Sequence, residues 1–263
     1  MRAHGCIDCT GGLGADGHAC WGFDREEEFA AVAVEFLADG LRLGQRLAYV
    51  GSEPIAQQRR RLEPLGDVER MVDSGMLQLF ELGHLYRLGE PVDVEEQVTV
   101  YSAAVDAALA EGYSGLRVAA QVTDLVRTPE TREAHLRWES VADRVLAPKS
   151  LSALCGYRRE ALPAQLLSDL AAVHPAANKA AGSPFHLFGE DGDLVLSGEV
   201  DLFSSDSLQR ALGFASEPDE APVLDLEALD FIDHHGFETL VARGCELRNA
   251  PPVVERLREL LSV

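Results

Sequence analysis

Segments with the apolar spacing of β-strands alternate with amphipathic helical segments from residue 18 to residue 173. The strand-like segments are short and lie at residues 18–23, 47–50, 76–82, 115–120 and 151–155. Helical patterns follow them, and the longer ones run for about 10–20 residues. Strands that alternate with such helices are typical of a mostly parallel sheet covered by helices on both faces. We therefore predict this α/β architecture for residues 18–174.

The chain on either side of this block differs in composition. Residues 1–17 are rich in glycine and are predicted to form a flexible N-terminal segment. Small residues, proline and glycine mark a linker over residues 175–184. Residues 185–263 then show a second, smaller α/β pattern, which opens with a hairpin predicted to turn at Asp191 and Gly192.

The charge balance restricts the partners of this chain. It carries 44 acidic and 23 basic residues, with a formal net charge of −21. Such a surface repels phosphate backbones, so we expect neither direct nucleic-acid binding nor attachment to an anionic membrane. The sequence has no apolar run near the ~18–20 residues of a spanning helix and no secretory signal. We therefore expect a cytoplasmic protein whose five cysteines form no disulfide framework.

Two short motifs occur in order in the C-terminal region: GEVDL at residues 198–202 and LDLEALDFIDHHGFETL at residues 224–240. Together they resemble the STAS domain, the fold of anti-sigma-factor antagonists. In that family a partner kinase phosphorylates the serine before the glycine, a position that His235 holds here. The resemblance and the predicted helix cap assign a partner-binding or switch loop to Asp201, Asp233, His234, His235 and Gly236. Gly236, which lacks a side chain, would let a partner approach the backbone closely.

The larger block resembles a different family, the sensory domain of dichloromethane-responsive regulators of methylotrophs, often abbreviated MEDS. The matching pieces include HAC and an aromatic residue from His18, FLADGLRLGQRLAYV, EGYSGLRVAAQVT, Glu139 and ALCGYRR from Ala153. This resemblance implies a RecA- or KaiC-like core that senses small organic molecules. The transcription factors of the family carry a DNA-binding helix-turn-helix; here the STAS-like region takes that place.

Parallel α/β sheets bind ligands at the carboxyl ends of their strands, and polar residues occur at those ends here. We predict a ligand pocket, with Trp21 forming an apolar wall, from residues His18, Cys20, Trp21, Ser52, Gln121, Thr123, Glu139 and Tyr157. The alternative is that Trp21 simply belongs to the core.

A phosphate-binding loop is not expected in this chain. It has only two lysines, Lys149 and Lys179, and neither follows the required glycine pattern. After the second strand, Glu53 brings negative charge to the place where a phosphate would lie. We therefore predict no enzyme and no certain cofactor.

Cysteine and histidine residues near the N-terminus leave three interpretations open. Cys6 and Cys9 form a CxxC pair, and His18 and Cys20 follow as HxC. Together they are a possible zinc site, because zinc takes thiolate and imidazole ligands. The other interpretations are a segment without a ligand and a redox-active CxxC pair.

These observations predict a signalling protein in which a small-molecule sensory domain controls a STAS-type interaction module. Its expected partner is an anti-sigma factor or related kinase in transcription regulation, its expected ligand a small organic molecule. Homodimer formation is left open. The alternative is a metal- or redox-sensing protein that uses the N-terminal cysteines.

Overall fold

The structure is a computed structural model that describes residues 2–190, 192–216 and 221–261, so Asp191 of the predicted turn lies outside the described residues. The strands are β1 (Gly5–Ile7), β2 (His18–Phe23), β3 (Arg46–Gly51), β4 (Leu77–Glu81), β5 (Leu116–Gln121), β6 (Leu151–Arg158), β7 (Ala176–Asn178), β8 (Phe185–Glu190), β9 (Asp193–Val200), β10 (Val223–Asp225), β11 (Leu229–Ile232) and β12 (Glu246–Arg248). The α-helices are α1 (Glu26–Leu43), α2 (Ile55–Arg61), α3 (Val68–Asp73), α4 (Leu82–Leu85), α5 (Val94–Ala110), α6 (Pro129–Leu146), α7 (Ala164–Ala172), α8 (Ser205–Ala215), α9 (His234–Ala242) and α10 (Pro252–Leu261).

The first sheet has seven strands in the order β1-β7-β2-β6-β5-β3-β4, and all its pairings are parallel. Side chains of α1 and α3 pack in the core on one face. Side chains of α5, α6 and α7 pack on the other face. The predicted parallel α/β sheet with helices on both faces is therefore confirmed.

The N-terminal segment is part of the fold, which corrects its prediction as a flexible segment. β1 pairs with β7 and extends the first sheet. The buried guanidinium of Arg117 donates from Nη2 to the Leu13 carbonyl at 2.9 Å and from Nε to the Phe36 carbonyl at 2.7 Å. Backbone carbonyls that satisfy a buried arginine hold residues 13–14 in place, and no periodic pattern in the sequence reveals such contacts.

The predicted linker also contributes to the sheet. Residues 176–178 form β7, which lies between β1 and β2. The Asn178 amide group accepts from the Gly22 backbone N–H at 2.9 Å and donates to the Gly22 carbonyl at 2.9 Å. The connection between the two sheets therefore shortens to residues 179–184, and the small residues before it serve close packing of strands.

The second sheet has five strands and is mixed. β8 and β9 form the predicted antiparallel hairpin, while β10 and β11 pair in parallel with successive stretches of β9. β12 pairs with β10 at the far edge. Within the part of the chain that the structure describes, no helix combines the length and the apolar character needed to cross a membrane.

Replacement of Arg117 by methionine tests its role as an anchor of the N-terminal segment. Arg117→Met leaves buried carbonyls without donors, so we expect the free energy of unfolding to fall by about 3 kcal/mol. Backbone amides of residues 5–13 should also exchange hydrogen faster. The control is Arg60→Met, at an exposed position of α2, which should change neither the free energy of unfolding nor the exchange rates. Equal effects of the two substitutions would contradict the role of Arg117 as an anchor of the N-terminal segment.

Candidate functional site

Helix α6 places three titratable side chains on one buried face. His135, Glu139 and Asp143 follow one another at intervals of four residues, and all three are almost fully buried. Residues four apart lie on the same side of a helix. This side of α6 faces the first sheet, where it meets side chains from β2 and β6.

One oxygen of the buried Glu139 carboxylate lies among two imidazoles and a thiol. Glu139 Oε2 is 3.2 Å from His18 Nε2 and 3.6 Å from His174 Nε2. The Cys155 thiol approaches the same oxygen at 3.6 Å and is 3.6 Å from His18 Nε2. β2 and β6 place His18 and Cys155, and His174 follows the end of α7.

The other oxygen of Glu139 is held by a phenol and a third imidazole. Tyr157 donates its hydroxyl to Glu139 Oε1 at 2.9 Å, and His135 Nε2 lies 2.9 Å from the same oxygen. Burial works against ionisation, but His135 and the other surrounding histidines hold the pKa of Glu139 well below its usual value. The carboxylate is therefore ionised inside the protein.

Asp143 continues the chain of polar contacts. Asp143 Oδ1 lies 3.1 Å from His18 Nδ1 and 2.7 Å from Arg2 Nη2. Although burial opposes ionisation, the bond to His18 and the charge of Arg2 lower the pKa of Asp143 to about 2. Burial likewise opposes protonation of His18, yet Asp143 and Glu139 raise its pKa above the usual value.

His174 and the two buried cysteines differ from these charged groups. Burial and the nearby His18 lower the pKa of His174 to about 3, so its ring is neutral. Its Nδ1 donates to the Leu170 carbonyl at 2.7 Å, which leaves Nε2 as the lone-pair nitrogen. Burial, followed by the charge of Glu139, raises the pKa of the Cys20 and Cys155 thiols well above their usual value. Neither thiol is a ready nucleophile on its own.

The structure brings four of the predicted pocket residues to one face of the sheet. His18, Cys20, Glu139 and Tyr157 all border the same buried region, and Cys20 lies opposite Cys155 in the strand register. The predicted alternation of His18 and Cys20 on β2 accounts for their shared face.

The remaining predicted pocket residues lie elsewhere. Trp21 alternates to the opposite face and packs in the other core. Gln121 and Thr123 lie at the carboxyl edge of the sheet. Gln121 donates to Glu26 at 3.4 Å, and the Thr123 hydroxyl accepts from the Arg158 backbone N–H at 2.9 Å. Ser52 is exposed. The single predicted pocket is therefore corrected to two separate regions, because strand alternation and strand length divide its members.

Ion pairs fill the carboxyl edge of the first sheet. Arg61 contacts Glu53 at 2.9 Å and Glu26 at 3.2 Å, and Glu26 also pairs with Arg158. A Cβ atom on Gly51 would lie 2.3 Å from the Glu53 carboxylate. Glu53 thus places a carboxylate just after the carboxyl end of β3.

The predicted zinc site at the N-terminus does not form. Cys6 and Cys9 are exposed, whereas Cys20 is buried. Cys6 and Cys20 both align with Ala177 of β7, which lies between their strands. Two strand spacings separate their backbones by about 10 Å, so these side chains and His18 cannot surround one ion.

Sequence reasoning missed His135, Asp143, His174 and Arg2 as members of the buried cluster. For His135 and Asp143 a signal existed: together with Glu139 they place polar groups at four-residue intervals along a helix that packs on the sheet. Arg2 and His174 reach the cluster from segments remote in sequence. No local pattern identifies such contacts.

The two C-terminal motifs, GEVDL and LDLEALDFIDHHGFETL, meet in the structure. Asp233 caps α9 by accepting from the Gly236 N–H at 3.0 Å, and its other oxygen accepts from the Leu202 N–H at 2.9 Å. Asp201 accepts from the Phe203 N–H at 2.9 Å, which shapes the loop after β9. The predicted switch residues Asp201 and Asp233 thus lie in one hydrogen-bonded unit, which we call the switch loop (residues 201–204 and 233–236).

One expectation for this loop is corrected. Gly236 is buried, and a Cβ atom there would lie 2.6 Å from Val200 Cγ1, so the glycine permits α9 to pack on β9 rather than a partner to approach. Phe231, just before the loop, is 46% exposed. His234 and His235 lie at the start of α9, with ring centroids 3.9 Å apart.

A family model described as MEDS, the MEthanogen/methylotroph, DcmR Sensory domain, matches residues 17–175. The chain belongs to the MEDS family. The MEDS domain contains the buried cluster except for Arg2, and the predicted resemblance is confirmed. A solved KaiC-like protein from the hyperthermophilic archaeon Pyrococcus horikoshii is similar at 14% identity, with a TM-score of 0.44 over 70% of this chain and 80% of that chain. No curated protein matches the chain.

The MEDS domain contacts the C-terminal region through the same buried cluster. Asp143 Oδ2 accepts from the Gly189 N–H of β8 at 2.9 Å, and Arg2 donates to the Gly189 carbonyl at 3.2 Å. His186 of β8 donates from Nδ1 to the His174 carbonyl at 2.9 Å. Hydrogen bonds at Gly189 and His186 therefore connect the cluster to the second sheet.

Removal of the Asp233 carboxylate tests the switch loop. Asp233→Ala is expected to lower the stability of α9 by about 1 kcal/mol, because the cap is lost. Asp233→Asn retains an oxygen acceptor and should lose less. Hydrogen exchange of the α9 and Leu202 amides measures the effect, and an Asp233→Ala variant as protected as the wild type would contradict the cap.

The same residue predicts a pH dependence. Burial opposes ionisation of Asp233, but the N–H donors of Gly236 and Leu202 lower its pKa below the usual 3.8. A carboxylate with a lowered folded-state pKa adds stability above the unfolded pKa and loses it as the pH falls through the folded value. The difference in protection between wild type and Asp233→Asn should therefore begin to shrink below about pH 4 and disappear only below the lowered folded-state pKa, and a constant difference would contradict this assignment.

Proposed function

We propose that this chain is a signalling protein without enzymatic activity, in which the MEDS domain controls a STAS-like interaction module formed by the C-terminal region. Family membership gives the chain a sensory, regulatory role. The proposal rests on Asp143. Its Oδ1 contacts His18 in the buried cluster, and its Oδ2 accepts from the Gly189 N–H in the second sheet. A change at the cluster therefore acts directly on β8.

The geometry of the two motifs supports a STAS-like module. Gly198 of GEVDL has a φ of 88°, and a Cβ atom there would lie 2.5 Å from the Pro184 carbonyl. Glycine is favoured at such a position. Gly236 of the second motif also permits close packing. Both motif glycines thus serve the fold, which places the ends of β9 and β11 side by side.

The switch loop carries exposed apolar side chains suited to a protein partner. Leu202 is 54% exposed and Phe203 is 90% exposed, and Phe231 lies two residues before Asp233. Exposed aromatic residues beside a structured loop are typical of protein-interaction surfaces. We expect the partner to be an anti-sigma factor or related kinase. Since His235 cannot be a serine-kinase substrate, control comes from the MEDS domain.

We expect the sensed organic molecule to bind between the two sheets. A cleft of about 490 Å³ lies there, lined by Gln165 and Ser168 of the MEDS domain and by Phe203, Ser204 and Ser207 of the C-terminal region. Its volume suits a small ligand, and such sites favour domain boundaries. A ligand that binds one arrangement of this cleft more tightly shifts the exposure of the loop.

Capture of the partner tests this function. The wild-type chain and Phe203→Ser are immobilised and exposed to a lysate of the native host, and bound proteins are identified by mass spectrometry. Leu260→Ser is the matched control, because Leu260 is also exposed but lies on α10. We expect wild type and Leu260→Ser to retain an anti-sigma-type kinase and Phe203→Ser to lose most of it. Equal capture by Phe203→Ser, or capture of no such kinase, would contradict the proposal.

A further inference from the structure

Four potential metal ligands converge inside the MEDS domain. His18 Nε2, Glu139 Oε2, Cys155 Sγ and His174 Nε2 all lie within 4.8 Å of one another, and all four side chains are buried. Metal–ligand bonds of about 2.0–2.3 Å in tetrahedral geometry require donor-to-donor distances of about 3.3–3.8 Å. The four contacts among these atoms described above measure 3.2, 3.6, 3.6 and 3.6 Å.

The outer contacts of both histidines orient the ring nitrogens toward this centre. Metal-bound histidines generally donate their second ring N–H to a carboxylate or a backbone carbonyl. His18 Nδ1 meets Asp143 at 3.1 Å, and His174 Nδ1 meets the Leu170 carbonyl at 2.7 Å. Each arrangement leaves Nε2 as the nitrogen that faces Glu139.

The remaining atoms of the cluster fit the same centre. Tyr157 and His135 contact Glu139 Oε1, whereas Oε2 faces the other three proposed ligands and would be the ligand atom. His174 Nε2 is buried and has no hydrogen-bond partner. A buried nitrogen without a partner is costly unless something else satisfies it, and a cation would do so.

We propose that His18, Glu139, Cys155 and His174 bind a divalent transition-metal ion, with zinc as the expected metal. Two nitrogens, one sulfur and one oxygen suit its borderline character, and four protein ligands indicate a closed, structural site. Binding requires the Cys155 thiol and the Nε2–H of a protonated His18 to release their protons to solvent, after which thiolate and carboxylate balance the two positive charges. This site stands independently of the STAS-like output.

The metal would fix the geometry of the domain contact. Its ligands come from β2, α6, β6 and the segment after α7, so one ion would join all four. Asp143, which orients His18, also bonds to Gly189. Occupation of the site therefore tightens the link between the MEDS domain and β8.

Metal analysis of the full-length chain tests the proposal. After removal of bound metal with a chelator, zinc is titrated against a competing indicator. We expect about one zinc per chain, as for a single four-ligand site. Cys155→Ala and His174→Ala should weaken binding by more than the ~10–100-fold that loss of an outer partner costs, and Asp143→Asn should fall within that range.

Matched controls locate the site. Cys20 lies opposite Cys155 in the register and is equally buried, so Cys20→Ala should retain zinc affinity. The double variant Cys6→Ser/Cys9→Ser should also retain it. Loss of zinc in that double variant, or equal affinity in Cys20→Ala and Cys155→Ala, would overturn the assignment.

Cobalt gives a readout that does not depend on ligand variants folding. Tetrahedral cobalt bound to a thiolate shows a sulfur-to-cobalt charge-transfer absorption. We expect this band in cobalt-loaded wild type and Cys20→Ala. Stoichiometric cobalt binding without the band would show that Cys155 is not a ligand and would overturn the proposed ligand set. Absence of stoichiometric metal binding in folded wild type would overturn the proposal as a whole.

Discussion

The buried carboxylate of Glu139 is the constraint on which the rest of the structure depends. An isolated charge in a protein interior costs several kcal/mol, so it must be surrounded by compensating groups. Tyr157 and His135 supply hydrogen bonds to one oxygen, and His18 approaches the other. These requirements draw α6 onto the strands β2 and β6 and explain why polar groups are concentrated on a face that would otherwise be apolar.

Asp143 connects the buried cluster around Glu139 to the C-terminal region. It balances His18 and Arg2, and its second oxygen accepts from the backbone of Gly189. Asp143 therefore connects β8 to the buried cluster. The switch loop lies at the far end of the β9 strand that pairs with β8, so rearrangement of the hairpin is the route that we propose from cluster to loop.

Periodicity predicts most of the architecture because strands and helices of the first sheet each bury a continuous face. It also places His18 and Cys20 on one side of β2, as found. Periodicity does not predict the ordered N-terminal segment, and the assignment of Trp21 to the pocket does not use it. The buried Arg117 secures the segment through long-range bonds, and Trp21 follows the alternation of its strand away from the polar cluster. Contacts such as those of Arg2 and His174 depend on the tertiary fold, which local patterns do not encode.

The most direct test of the coupling is backbone hydrogen exchange of the full-length wild type and Glu139→Gln, both measured with a chelator present. Glutamine retains the shape of glutamate but removes the charge that organises the cluster. The account predicts faster exchange in α6, in β8 around Gly189 and at Leu202 of the switch loop. A change confined to residues 18–174, with exchange in the second sheet unaltered, would contradict the coupling.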